Sequence, residues 1–182
     1  MGSKYSMKEY KIIPDGRGLP MQNVIRIKPH HFVDIITDIG DGKTTFEPHP
    51  YGHAVHTVAR KIIENPVVML QIECGIDDIC APCMHNVNGT CDDTIDTSYR
   101  PNAPVSKHKW NLLIDRRWCE RIHLQDKDTL TAWELCERLK NDAGDITDIY
   151  REIPPERTAE RARKLKAGIE KYLQSPTRDE KR

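Results

Sequence analysis

The sequence predicts an α+β fold that is mostly helical, with a short two-stranded element and a cysteine-rich loop that binds a cluster. Three observations predict it. Apolar residues recur at helical spacing in five segments, whereas only 24–28 and 66–73 read as strands. Four of the six cysteines fall between Cys74 and Cys91. The loop that carries them holds Gly75, Pro82 and Gly89 and has no periodicity of its own.

The 182 residues fit one domain with an appended helical region. Residues 1–23 are polar and carry Pro14, Gly16, Gly18 and Pro20, which predicts an extended arm. Residues 24–107 form the cluster-binding core, and 108–182 a helical region packed on it.

Val24 to Lys28 is the first strand, ended by Pro29. His30 to Ile39 places Phe32, Val33, Ile35, Ile36 and Ile39 at helical spacing and closes at Gly40. A turn-rich loop covers 41–50. Tyr51 to Glu64 is expected to be helical, with Val55, Val58, Ala59, Ile62 and Ile63 on one face. Pro66 to Glu73 is a buried strand that delivers the chain into the cysteine loop. Residues 94–107 cross irregularly past Pro101 and Pro104. Trp110 to Ile122 reads as a helix. Thr131-Ala-Trp-Glu134 is a capping box that opens another, ending near Gly144. A last helix opens at Pro154-Pro155-Glu156, with proline in the first turn where its missing N–H costs nothing. Its stripe is Ala159, Ala162, Leu165, Ile169 and Leu173, and residues 175–182 are a charged, frayed end.

The loop spacing is C-x5-C-x2-C-x7-C, from Cys74 through Cys80 and Cys83 to Cys91. Four thiolates on a turn-rich loop hold a metal or an iron–sulfur cluster. Structural zinc sites pair their ligands in two knuckles, and here only Cys80 and Cys83 form a pair. An asymmetric set fits a 4Fe-4S cube better; Zn2+ and disulfides are the alternatives. Cys119 and Cys136 sit within helical patterns and read as inert core thiols.

Histidines supply the candidate acid–base groups. His30 and His31 follow the first strand; His53 and His56 share one face if the helix begins at Pro50, with His49 in the turn before it. Each set also has a plain reading, a hydrogen-bonded structural histidine or a solvated polar face. Asp77 and Asp78 sit inside the loop, and at least one of them is expected to accept backbone N–H bonds there. Arg26, Lys28, Arg116 and Arg117 are weak candidates for holding an anion.

Ile25-Arg26-Ile27-Lys28-Pro29-His30-His31, then Gly40-Asp41-Gly42, then Asp77-Asp78-Ile79-Cys80-Ala81-Pro82-Cys83, then Gly89-Thr90-Cys91 occur in that order. This resembles a family of small prokaryotic proteins grouped as a domain of unknown function and described as iron–sulfur-binding. The family pattern is a strand ending R-L-R-P-H-H, a G-K-G turn, and a D-D-I-C-x-x-C-P loop closed by G-x-C. The resemblance covers about residues 24–95, and weakly the helix start at Thr131. The family carries a cysteine three residues after the histidine pair, where this chain has Asp34. The resemblance therefore implies a cluster in which Cys74 replaces the missing ligand. Otherwise Cys80, Cys83 and Cys91 bind alone, with one iron open or held by Asp34 or a substrate. It implies no reaction.

Lys plus Arg and Asp plus Glu both total 28, a balance that argues against a general nucleic-acid binder. No apolar run approaches the roughly 20 residues that cross a bilayer. The N-terminus shows no signal-peptide h-region, which places the chain in the reducing cytoplasm, where Asn88-Gly89-Thr90 is a chance glycosylation match. The function expected first is non-redox catalysis at an open-site iron, of lyase, hydratase or desulfurase type, on a small polar molecule. Electron transfer to a redox partner protein and a structural-zinc interaction module are the alternatives.

Overall fold

The structure is a computed structural model that describes residues 24–174; the expected arm at 1–23 and charged end at 175–182 lie outside the described residues. It is α+β and mostly helical. The order is β1 (Ile25–Ile27), α1 (Pro29–Gly40), α2 (Val55–Glu64), β2 (Met69–Ile72), β3 (Asn86–Val87), β4 (Thr90–Cys91), α3 (Lys107–Arg121), β5 (Thr129–Thr131), α4 (Ala132–Asp142) and α5 (Pro155–Gln174).

The expected strands pair side by side. β1 runs parallel to β2, with Ile25 opposite Leu70 and Ile27 opposite Ile72. A third strand, β5, adds antiparallel to the other edge of β2, with Leu130 opposite Leu70. The sequence reading missed it because a three-residue strand shows too little alternation to register. Ile27, Leu70 and Ile72 are wholly buried, so this small sheet sits in the middle of the core.

Helix α1 starts with proline at its first position and buries Phe32, Val33, Ile35 and Ile36. It packs chiefly on α5, so the C-terminal region shares one continuous core with the sheet. The crossing is close because both helices present glycine. A methyl built on Gly168 would lie 1.8 Å from the carbonyl oxygen of Ile36, and one on Gly40 1.8 Å from that of Lys164. The capping box at α4 forms as expected: Thr131 Oγ1 accepts from the Glu134 N–H at 3.1 Å, and Glu134 accepts from the Thr131 N–H at 2.7 Å.

Helix α2 starts four residues later than expected. Gly52 has φ +76°, which turns the chain, and Ala54 is the N-cap. The Ala54 N–H donates to the Ile79 carbonyl at 2.9 Å, and the Met84 N–H to the Tyr51 carbonyl at 2.8 Å. The Tyr51 carbonyl and the Ala54 N–H are thus spent on the cysteine loop, while the Ala54 carbonyl accepts from the first turn of α2. The loop ends in the hairpin β3–β4, whose turn is Asn88 at φ 50° and Gly89 at φ 80°. Two positive φ values in an Asn-Gly pair make the tight turn that matches strand twist. The glycosylation-like triplet is therefore a hairpin turn, and it brings Cys91 opposite Asn86.

Among the described residues, no helix is long and apolar enough to cross a membrane.

Candidate metal centre

The site is organised around the Asp77 carboxylate, which is wholly buried. It accepts the Lys28 N–H at 2.9 Å, the Cys80 N–H at 2.9 Å and His31 Nδ1 at 2.7 Å. These bonds join the β1–α1 corner to the cysteine loop. Burial alone would raise the Asp77 carboxyl; His31, the Lys28 N–H and the Lys28 ammonium outweigh it and hold it far below the usual range. An ionised carboxylate only accepts, so His31 Nδ1 carries the proton and Nε2 is left for a ligand. Asp78 does parallel work on the strand edge, accepting the Arg26 N–H at 3.0 Å and Arg26 Nε at 2.9 Å. Both acids are structural.

Lys28 is only 4% exposed, and its Nζ lies 3.3 Å from Cys80 Sγ. Burial would lower this ammonium; Cys80 and Asp77 outweigh it and raise it. Burial, and then Asp77, push the Cys80 thiol up to about 12. A metal reverses that balance, since it binds thiolate and releases the proton.

Cys80, Cys83 and Cys91 line one cavity of about 490 Å3. The loop turn places the first two, with the Cys83 N–H donating to the Cys80 carbonyl at 3.0 Å, and the hairpin returns the third. His31, His49, His53 and His85 share that cavity. The His49 and His53 rings stack at 3.9 Å, and Tyr51 stands edge-on to His49 and to His85. His85 Nδ1 lies 2.8 Å from Asp92. His53 Nδ1 is buried without a partner among the described residues. Burial, and then His49, push the His53 imidazole down to about 4, so at neutral pH its ring is uncharged.

The structure splits the expected ligand set. Cys74 does not line this cavity. It points to Cys119 of α3, while its N–H donates to Asp126 at 3.0 Å. Cys119, expected as an inert core thiol, is half-buried and interacts with Cys74; neither forms a disulfide. Asp34 lines the cavity but is ion-paired with Arg161 of α5. The expected histidine face also divides. His53 precedes α2 and faces the cysteines, whereas His56 lies within α2 and lines a separate pocket beside Phe46 and Arg60. His30 is buried against Asp115, with Nδ1 at 2.8 Å and its N–H at 2.9 Å from the same oxygen.

Among the described residues, His31, Asp77 and Cys80 bring ligand atoms within 4.8 Å of one another. Asp77 already accepts three donors and Cys80 Sγ one, so each member of the group is held in place by the surrounding chain. The sequence reading missed Lys107, Asn111 and Arg161 on the cavity wall, which reach it from α3 and α5. No local pattern marks such residues.

Set against family models, curated proteins and solved structures, the chain matches none.

Proposed function

We propose that this cavity holds a 4Fe-4S cluster through Cys80, Cys83 and Cys91, and that the chain is an enzyme acting on a small polar substrate. The observation that carries this reading is that the three thiols share a cavity with four histidines while Cys74 faces elsewhere. The resemblance read from residues 24–95 leads to the same expectation, and no family model matches the chain. A cube held by three protein thiolates supplies one open iron as a Lewis acid.

The chain's own residues supply the rest. Asp77 fixes the tautomer of His31, whose Nε2 is free to take a proton from a bound substrate. Uncharged His53 serves as a proton acceptor. Lys28 donates toward Cys80 Sγ and offsets thiolate charge in a buried place. Lyase, hydratase and desulfurase chemistry are the reaction classes this arrangement suits. An electron carrier gives the histidine-lined cavity no acid–base role.

One observation favours a second reading. His31 Nε2 with Cys80, Cys83 and Cys91 would make a Cys3His zinc site, with Asp77 orienting the imidazole as outer-shell carboxylates do. Tetrahedral ligands on bonds of roughly 2.0–2.3 Å stand about 3.5–4 Å apart. The mutually close group contains His31 and Cys80 but neither Cys83 nor Cys91. That wider spread suits a cluster better than one zinc.

Cysteine replacement tests the ligand set. Cys83→Ser or Cys91→Ser should abolish the thiolate-to-iron absorption of anaerobically purified protein, and Cys74→Ser should preserve it. Loss in Cys74→Ser would overturn the three-thiolate reading.

A further inference from the structure

A second cavity, of about 340 Å3, adjoins the cysteine cavity. The two share a wall made of His31, Asp34, Lys107, Asn111 and Arg161. Beyond that wall the second cavity is an open cleft lined by Ile95, Tyr99, Trp110, Ile114, Tyr150 and Ile153, with His30 and Arg100 as polar members, and it is large enough for a small organic molecule.

Its charge is one-sided in a chain of zero formal charge. Arg100, Lys107 and Arg161 face it with Asp34; Arg161 is ion-paired with that Asp34, and Lys107 with Asp93 outside the cavity. The arginines lie over rings. Arg100 lies 5.0 Å from the Trp110 ring and 4.9 Å from Tyr99, and Arg161 lies 4.7 Å from Tyr150. Their donors are not used up. Arg161 Nε is buried without a partner among the described residues, and Lys107 Nζ gives one bond, at 2.8 Å, to Asp93. A buried donor without an acceptor is costly unless a ligand satisfies it.

We propose that this second cavity is the substrate compartment, and that the substrate is an organic acid with an apolar body. The carboxylate sits on the shared wall against Lys107 and Arg161, and the body lies among Trp110, Tyr99 and the isoleucines. Planar guanidinium matches carboxylate geometry, which favours an acid over a neutral polar molecule. The inference rests on the reading that the adjoining cavity holds the reactive centre, and adds the substrate class to it.

Calorimetric titration of the full chain with 3-phenylpropionate, its neutral amide and acetate tests this, with Trp110 fluorescence as the local readout. The acid should bind saturably in the millimolar range or tighter. The amide, which lacks the charge, and acetate, which lacks the body, should each bind at least about tenfold more weakly. Lys107→Met should weaken the acid about tenfold. No saturable binding of the acid, or an amide that binds as tightly, overturns the proposal and needs no variant to show it. The same titration of the Cys83→Ser, Cys91→Ser double variant separates the two ideas. Acid binding that survives there supports the compartment even if metal analysis rejects the cluster. A cluster in the wild-type chain with no acid binding leaves the centre standing and sinks the compartment.

Discussion

The Asp77 carboxylate and the His31 imidazole are joined by a 2.7 Å bond inside the protein, and the same carboxylate holds the N–H groups of Lys28 and Cys80. One acid therefore sets the tautomer of a histidine, the start of α1 and the position of a thiol. Asp77→Ala would leave these donors unpaired where water is excluded. At about 1–3 kcal/mol for each orphaned group, the loss should be at least ~3 kcal/mol, read from the urea midpoint. Metal content should fall with it. A variant of unchanged stability would show that the three bonds are not what closes the loop.

The α1–α5 crossing gives a prediction whose sign is diagnostic. Propensity alone makes Gly168→Ala stabilising by roughly 1 kcal/mol in a helix. The added methyl would sit 1.8 Å from the Ile36 carbonyl oxygen, a backbone atom that cannot move aside cheaply. The variant should therefore be destabilised, by several kcal/mol or about the scale of overpacking, ~1–3 kcal/mol, if the helices separate slightly. Chemical denaturation reads the sign directly.

Arg117 and Glu152 predict an acid dependence away from the site. Arg117 donates to both Glu152 oxygens at 2.7 and 2.8 Å, and each side chain is only 11% exposed. The Arg117 bonds outweigh burial and hold the Glu152 carboxyl below its ordinary value of 4.5. A depressed folded-state value contributes stability that is present above 4.5 and lost as pH falls through the folded value. Glu152→Gln should cost about 1–3 kcal/mol at neutral pH and flatten the stability profile below 4.5. Stability against pH for both proteins, overlaid, checks it; parallel profiles would refute the pair's contribution.

Lys28 offers a test at the centre itself. Its Nζ lies 3.3 Å from Cys80 Sγ, and hydrogen bonds and positive charge near cluster sulfur raise reduction potential. Lys28→Met keeps the length of the side chain and the backbone N–H bonded to Asp77. The potential should drop by roughly tens of millivolts in film voltammetry. An unchanged potential would show that the ammonium does not reach the cluster.

The sequence made much of this legible where the signal is local. Proline at the start of α1, the Thr131–Glu134 capping box and the apolar strands at 25–27 and 69–72 all act through near neighbours, and all appear as expected. The clustering of Cys80, Cys83 and Cys91 was legible for the same reason. What was not legible depends on tertiary contact. The 51–54 segment has helical periodicity, but its Ala54 N–H donates to Ile79 and its Tyr51 carbonyl accepts from Met84, so His53 and His56 part company. Cys74 is near the other thiols in sequence, yet it follows β2 out toward α3 and meets Cys119. Arg161 reaches Asp34 across 127 residues, and Asp115 reaches His30 across 85. Spacing cannot report pairs that only the α1, α3 and α5 packing brings together.

Iron, acid-labile sulfide and zinc per chain, measured on anaerobically purified protein, test the central claim most directly. The account predicts near four iron and four sulfide, with negligible zinc, in the wild type and in Cys74→Ser alike. Near one zinc and no sulfide would contradict it and assign Cys80, Cys83, Cys91 and His31 to a mononuclear site.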